Sequence, residues 1–152
     1  FNMENTLCVA KMFNNLYKDD FGVDMDEMRM YKMMYFAQRE SLMRTQEKLF
    51  NSDFYGWKFG PVLLDVRSEY VTGSMFSKVT GTLSEAAKDL VRFVYDRYND
   101  LSFWKLSALS HGEVSWKYAR KGLDAKDNGN VTMRVADMKL DAAREYYRRK
   151  RG

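Results

Sequence analysis

Apolar residues recur at helical spacing along most of this chain, and polar clusters interrupt them, so the pattern itself predicts a mainly α protein. From Asn5 or Thr6 onward, Leu7, Ala10, Met12, Phe13 and Leu16 share a face, and the segment ends near "KDDFG", where Gly22 is the first turn signal. Asp24 or Asp26 is placed to cap a second helix reaching about Arg44, with Asp26 and Glu27 beside the positive end of its dipole. Along it Met30, Met33, Met34 and Ala37 line one face, and Tyr31, Tyr35 and Leu42 an adjoining one. So wide a stripe predicts a central helix whose methionines pack in the core rather than line a binding groove.

Asn51, Ser52 and Asp53 then introduce "FYGWKF", which predicts a short β-hairpin or extended aromatic segment near residues 48–59. Read as extended, Tyr55, Trp57 and Phe59 point one way and Phe54, Gly56 and Lys58 the other. Gly60 and Pro61 end the segment. Pro61, the only proline, is expected in the first turn of a helix carrying Val62, Leu63, Val66 and Tyr70, because it has no N–H to lose and its φ suits that place. After a loop rich in Ser, Thr and Gly, Ser84 with Glu85 opens a helix whose apolar face is Leu90, Val91, Val94, Tyr95 and Tyr98. Ser102 caps a shorter one containing Trp104, Leu106 and Leu109, and helix resumes from Ser115 to Arg120 before Gly122. "DAKDNGN" reads as a polar turn and "VTMRV" as a short strand, and Asp137 is expected to cap a last helix from Met138 to about Arg148. The expected whole is one compact multi-helix domain over residues 3–152, with Met3 as the native start and Phe1 and Asn2 as additions.

Length and composition agree with a single cored domain, at 152 residues and 45% hydrophobic content. No apolar run approaches the roughly 20 residues that span a bilayer. A lone cysteine, Cys8, rules out an internal disulfide and a multi-cysteine zinc site, and eleven methionines suit a reducing compartment, so a cytoplasmic location is expected. The net charge of +4 is mixed along the chain, and only Arg148, Arg149, Lys150 and Arg151 concentrate it. Residues 148–152 read as a solvated basic tail at a helix C-terminus, with contact to nucleic acid or an acidic partner as the competing use.

Catalytic chemistry is thinly provided. His111 is the one histidine, and no H-E-x-x-H, C-x-x-C or G-x-S-x-G spacing accompanies it, so it is read as a capping or packing residue at the end of the Ser102 helix. Gly56 and Gly60 flank aromatics with no following G-K-[ST] to cradle phosphate. No catalytic residue, metal ligand or cofactor is assigned, and the chain reads as a non-enzyme. What remains is the aromatic cluster "GWKFGPV". Trp57 and Phe59 pack inward or serve as surface anchors, because a Trp or Phe ring buries about 150–250 Å² in either setting. Tyr55, Trp57, Lys58, Phe59, Tyr70 and Arg120 are the candidate partner-binding residues. Gly60, Pro61, Val62, His111 and Trp116 are the structural set. Trp116 and Arg120 lie four apart on one helix face, so Arg120 stacks on the ring or pairs with an acid.

In order along the chain, "KMMYFAQRESL", "GWKFGPV", "VRSEY" and "LSALSHGEVSWKYAR" resemble the SocA/GepA-like antitoxin domain known as Panacea. That family carries a K-L-x-Y-F-A-Q-like helix, an A-W-x-x-G-P-V signature and an L-S-x-x-T-H-x-x-x-P-W-x-x-A-R-like segment. Gly56, Ser110 and Ser115 stand where the family has Ala, Thr and Pro. The resemblance implies a mostly helical antitoxin of bacteria or phages that binds and neutralises a cognate toxin encoded nearby, needing no cofactor. In one branch it implies an adaptor that presents the toxin to a ClpXP-type protease. The competing function is a nucleic-acid-binding regulator of phage or mobile-element origin, suggested by the pI of about 9.1 and the basic end. It lacks a recognition helix with Arg, Asn or Gln spaced for base edges.

Overall fold

The structure, a computed structural model, describes residues 3–152, and the expectation for Phe1 and Asn2 lies outside them. Helix α1 (Thr6–Phe21) is capped by Asn5, whose side chain accepts from the Cys8 N–H, and closes on Gly22 at φ 75°. Helix α2 (Glu27–Thr45) starts at Asp26, whose carboxylate accepts from the Arg29 N–H at 3.0 Å. The other candidate cap, Asp24, instead accepts from the Asn14 amide at 3.0 Å.

Every residue of α2 from Met30 to Leu42 is buried, as the wide stripe predicted. Met30, Met33 and Met34 are fully enclosed, each contributing about 1.5–3 kcal/mol of hydrophobic stabilisation. The helix must therefore bury its polar residues too, and each finds work. Gln38 donates to the Phe50 carbonyl at 2.8 Å and accepts from the Leu49 N–H at 2.8 Å, tying the chain that follows α2 back onto it.

That chain leads into β1 (Tyr55–Trp57) and β2 (Gly60–Val62), an antiparallel hairpin in which Tyr55 faces Val62, Gly56 faces Pro61 and Trp57 faces Gly60. Phe59 does not continue the strand: with Lys58 it makes the turn. Pro61 does not open a helix, but lies inside β2. It fits there because Gly56 opposite turns both its backbone groups outward, its N–H to the Val131 carbonyl at 3.1 Å and its own carbonyl to the Arg120 guanidinium at 3.0 Å. A strand position that needs no ladder donor accommodates proline at no hydrogen-bond cost. Val62 and Leu63 accordingly precede helix α3 (Leu64–Thr72).

Thr132 bridges to Tyr55, and Met133 N–H donates to the Phe54 carbonyl at 2.7 Å, so "VTMRV", expected as a short strand, contributes a single bridge on the outer edge of the hairpin. Gly129 permits this approach, because a Cβ there would overlap the Gly56 carbonyl oxygen. Gly129→Ala is expected to displace the 129–132 segment and lower stability by about 1–3 kcal/mol, read as a loss of amide exchange protection at Gly56 and Met133. Retained protection at both would show that the loop yields freely.

Helix α4 (Glu85–Tyr98) begins at the Ser84 cap and α5 (Phe103–His111) at the Ser102 cap, as the sequence predicts. Helix α6 (Val114–Ala119) follows closely. The last helix, α7 (Val135–Arg151), begins three residues before Met138, where it was expected to start behind an Asp137 cap. Asp137 instead lies buried in its first turn. The basic end is helical, with Arg148, Lys150 and Arg151 exposed as expected and Arg149 partly buried. Arg148 and Arg149 are helical, and both point into carboxylates of the molecule's interior. α2 is the hub, packed against α1, α4, α7 and β2.

Candidate protein-binding surface

The hairpin turn and the start of α5 come together over one buried charge. Lys32, on α2, is fully enclosed, and its Nζ donates to the Phe59 carbonyl at 3.0 Å while lying 5.8 Å from the Phe103 ring centre. Burial lowers this lysine to about 8, against a smaller raising effect of Asp26. Above it the surface is aromatic. Phe59 is 57% exposed, Trp104 79% and Phe103 37%, and the Phe103 and Trp104 rings meet edge to face at 5.3 Å. The Lys58 ammonium sits 5.2 Å from the Phe59 ring. Exposed aromatics beside a cation are what protein interfaces select at their centres.

The sequence-predicted residues divide between this face and its support. Lys58 and Phe59 form the turn, and Tyr55 and Trp57 are half-buried beside it. The Arg67 guanidinium covers the Trp57 ring at 5.2 Å, and the Trp57 carbonyl accepts from the Trp116 indole at 2.8 Å. His111 stacks on Trp116 with rings 4.2 Å apart and nearly parallel, and burial lowers its basicity against the opposing Phe59 carbonyl. Gly60, Pro61 and Val62 are buried beneath. Arg120 stacks over Trp116 at 5.5 Å as its spacing suggested, yet it is only 8% exposed. Its two terminal nitrogens are spent on the carbonyls of Gly56, Asp124 and Asp127. Tyr70 donates its hydroxyl to the Met25 carbonyl at 2.7 Å. Arg120 and Tyr70 are thus committed inside the molecule, and Phe103 and Trp104 join the face in their place. Helical spacing groups Trp104 with the apolar residues of α5, which gives no sign that its ring faces outward. The buried face there belongs to Leu106 and Ser110, leaving Trp104 outward.

A second polar assembly holds α7 against α2 and α6. Asp141 is fully buried, and its carboxylate accepts from the Val114 N–H at 2.6 Å, the Ser115 N–H at 3.1 Å and the Ser115 hydroxyl at 2.5 Å. No side chain of α6 caps that helix, so Asp141 caps it from α7. The Tyr35 hydroxyl lies 2.7 Å from Asp141 and 2.8 Å from Glu113, with one proton to give to the two. Burial pushes the Glu113 carboxyl up, more than Arg39 pulls it down at 3.0 Å. Burial would raise Glu145 too, but Arg39, Arg149 and Arg148 outweigh it and hold that carboxyl below its usual range.

The family described as "Antitoxin SocA-like, Panacea domain" matches residues 30–117, more than half the chain. The protein belongs to this family. The match runs from α2 into α6 and includes the hairpin turn and Trp104, while α1 and α7 lie outside it. No curated protein and no solved structure matches the chain. Among the described residues no helix is long and apolar enough to cross a membrane.

Proposed function

We propose that this protein is the antitoxin of a toxin–antitoxin system, neutralising a toxin encoded beside it by direct binding through the face of the hairpin turn and the start of α5. Membership of the SocA-like family carries this reading. The contact set is Tyr55, Trp57, Lys58 and Phe59, extended by Phe103 and Trp104, with Arg120 and Tyr70 as scaffold. The exposed rings of Phe59 and Trp104 are held by a capped helix and a two-residue turn, so little ordering entropy opposes docking.

Co-expression with the adjacent gene product tests it. The parent chain is expected to restore growth and to co-purify with the toxin. Phe59→Asp combined with Trp104→Asp should keep the helical fold yet lose rescue, since truncated interface anchors commonly cost about 2 kcal/mol or more each. A neighbour without toxicity, or undiminished rescue by the double variant, would overturn the reading or the placement of the surface respectively. Rescue confined to hosts that carry a ClpXP-type protease would add delivery for proteolysis to the mechanism.

A further inference from the structure

Four guanidiniums converge on a single carboxylate where α2, α4 and α7 meet. Glu145 lies 3.8 Å from Arg39, 3.3 Å from Arg97, 3.0 Å from Arg148 and 2.9 Å from Arg149. All five residues line a cleft of about 590 Å³. One carboxylate neutralises one charge. Arg39 also reaches Glu113, and Arg149 also reaches Glu40, but Glu40 is shared with Arg44 and Glu113 with Arg148. Including the Arg144–Asp141 pair, six arginines meet four carboxyl groups across the connected assembly. Among the described residues this leaves two positive charges without a carboxylate partner, carried by Arg44, Arg97, Arg144 and Arg148 at 40–48% side-chain exposure.

Part of the cluster is desolvated. Arg39 is 3% exposed, and its Nε–H is buried without a hydrogen-bond partner among the described residues. A donor left so inside a protein costs free energy until something accepts from it. Arg97 and Arg148, with side chains 42% and 44% exposed, also line the cleft. The cleft is lined too by Phe36 and Tyr98, whose rings stack at 4.2 Å, and by Leu109. Guanidinium forks match the oxygens of phosphate in shape as well as charge.

We propose that this cleft binds a phosphate-class dianion, free or as a monoester, gripped by Arg97 and Arg148 with Arg39 beneath. Its oxygens supply the acceptors that Glu145 alone does not. Arg39 stands seven residues beyond Lys32 on α2, about 10 Å along the helix, so the site is separate from the aromatic face and its test does not depend on toxin binding.

The test is an NMR titration of the full chain at low ionic strength with inorganic phosphate and with phenyl phosphate, using matched chloride as the control. Saturable shifts centred on Arg97 and Arg148 are expected. Arg97→Gln with Arg148→Gln should weaken binding at least tenfold while keeping the helical spectrum and cooperative unfolding, because both side chains are half-exposed. Arg97→Lys with Arg148→Lys, which keeps charge but not the fork, should fall between. Tighter binding of phenyl phosphate assigns a monoester lying on the Phe36–Tyr98 rings, and equal binding assigns the free oxyanion. Shifts that do not saturate, or an affinity unchanged in the Gln variant, would overturn the proposal.

Discussion

Asp141→Ala is expected to destabilise the protein by about 3–5 kcal/mol, the range for removing one partner from a buried charged network. The carboxylate is fully buried and takes two backbone N–H groups at the start of α6, the Ser115 hydroxyl and the Tyr35 hydroxyl. Alanine leaves the two N–H groups and the Ser115 hydroxyl without this acceptor, while Tyr35 keeps Glu113 at 2.8 Å, and each unsatisfied buried group costs about 1–3 kcal/mol before relaxation. Urea unfolding should show a lower midpoint with an unchanged slope. Amide protection should fall most at Val114 and Ser115. Asp141→Asn keeps one acceptor oxygen but turns an amide donor toward other donors, so it should recover only part of the loss. A change below about 1 kcal/mol for the alanine variant would mean that α6 finds another cap, and α7 could not then be credited with holding it.

Lys32→Met should act in the opposite direction and change sign with pH. Lys32 is ordinarily protonated below about 10.5, but burial lowers it to about 8 in the fold. Below about 8 the folded state therefore carries a charged, desolvated ammonium, a penalty of about 3 kcal/mol. That penalty fades as pH rises from about 8 to 10.5, where the unfolded chain still binds the proton and the folded protein has released it. Methionine fills nearly the same space without the charge, and forfeits the bond to the Phe59 carbonyl at 3.0 Å, worth about 1 kcal/mol. The variant should thus be about 2 kcal/mol more stable than the parent at pH 7 and about 1 kcal/mol less stable once Lys32 is neutral in both states. Paired chemical denaturation at pH 7 and near pH 10, where the unfolded chain is still largely protonated and the difference should have fallen to about zero, measures the change and cancels titrations common to both proteins. A pH-independent difference would show that the ammonium is solvated in the fold. The variant also bears on the proposed function: with Phe59 released from α2, growth rescue in the co-expression assay should weaken even as stability rises.

Much of the architecture was legible from local chemistry. Ser84 and Ser102 cap the helices they were expected to cap, and the methionine stripe of α2 is in the core, because capping and periodicity act over a few residues. Pro61 was misread for a reason of the same kind. Its fixed φ and missing N–H suit a first helical turn and an unbonded strand position equally, and only the partners of Gly56, far along the chain at Arg120 and Val131, decide between them. Asp137 lost its expected capping place because α7 begins earlier and packs against α6. Trp104 and Arg120 exchanged roles, the ring turning outward and the charge inward. Helical spacing defines a face but not which neighbour will cover it.

By itself the sequence determined a mainly helical domain, its central α2, an aromatic turn before "GPV" and the family to which the ordered motifs belong. The tertiary structure alone decided which aromatics face outward, that Lys32 underlies them, that Asp141 caps a helix other than its own, and that Arg148 and Arg149 of the basic end pair with buried carboxylates. Periodicity, caps and motif order depend on neighbours within a turn or two. Burial and charge pairing depend on groups separated by up to 109 residues, as Glu40 and Arg149 are, and chain spacing does not encode their meeting.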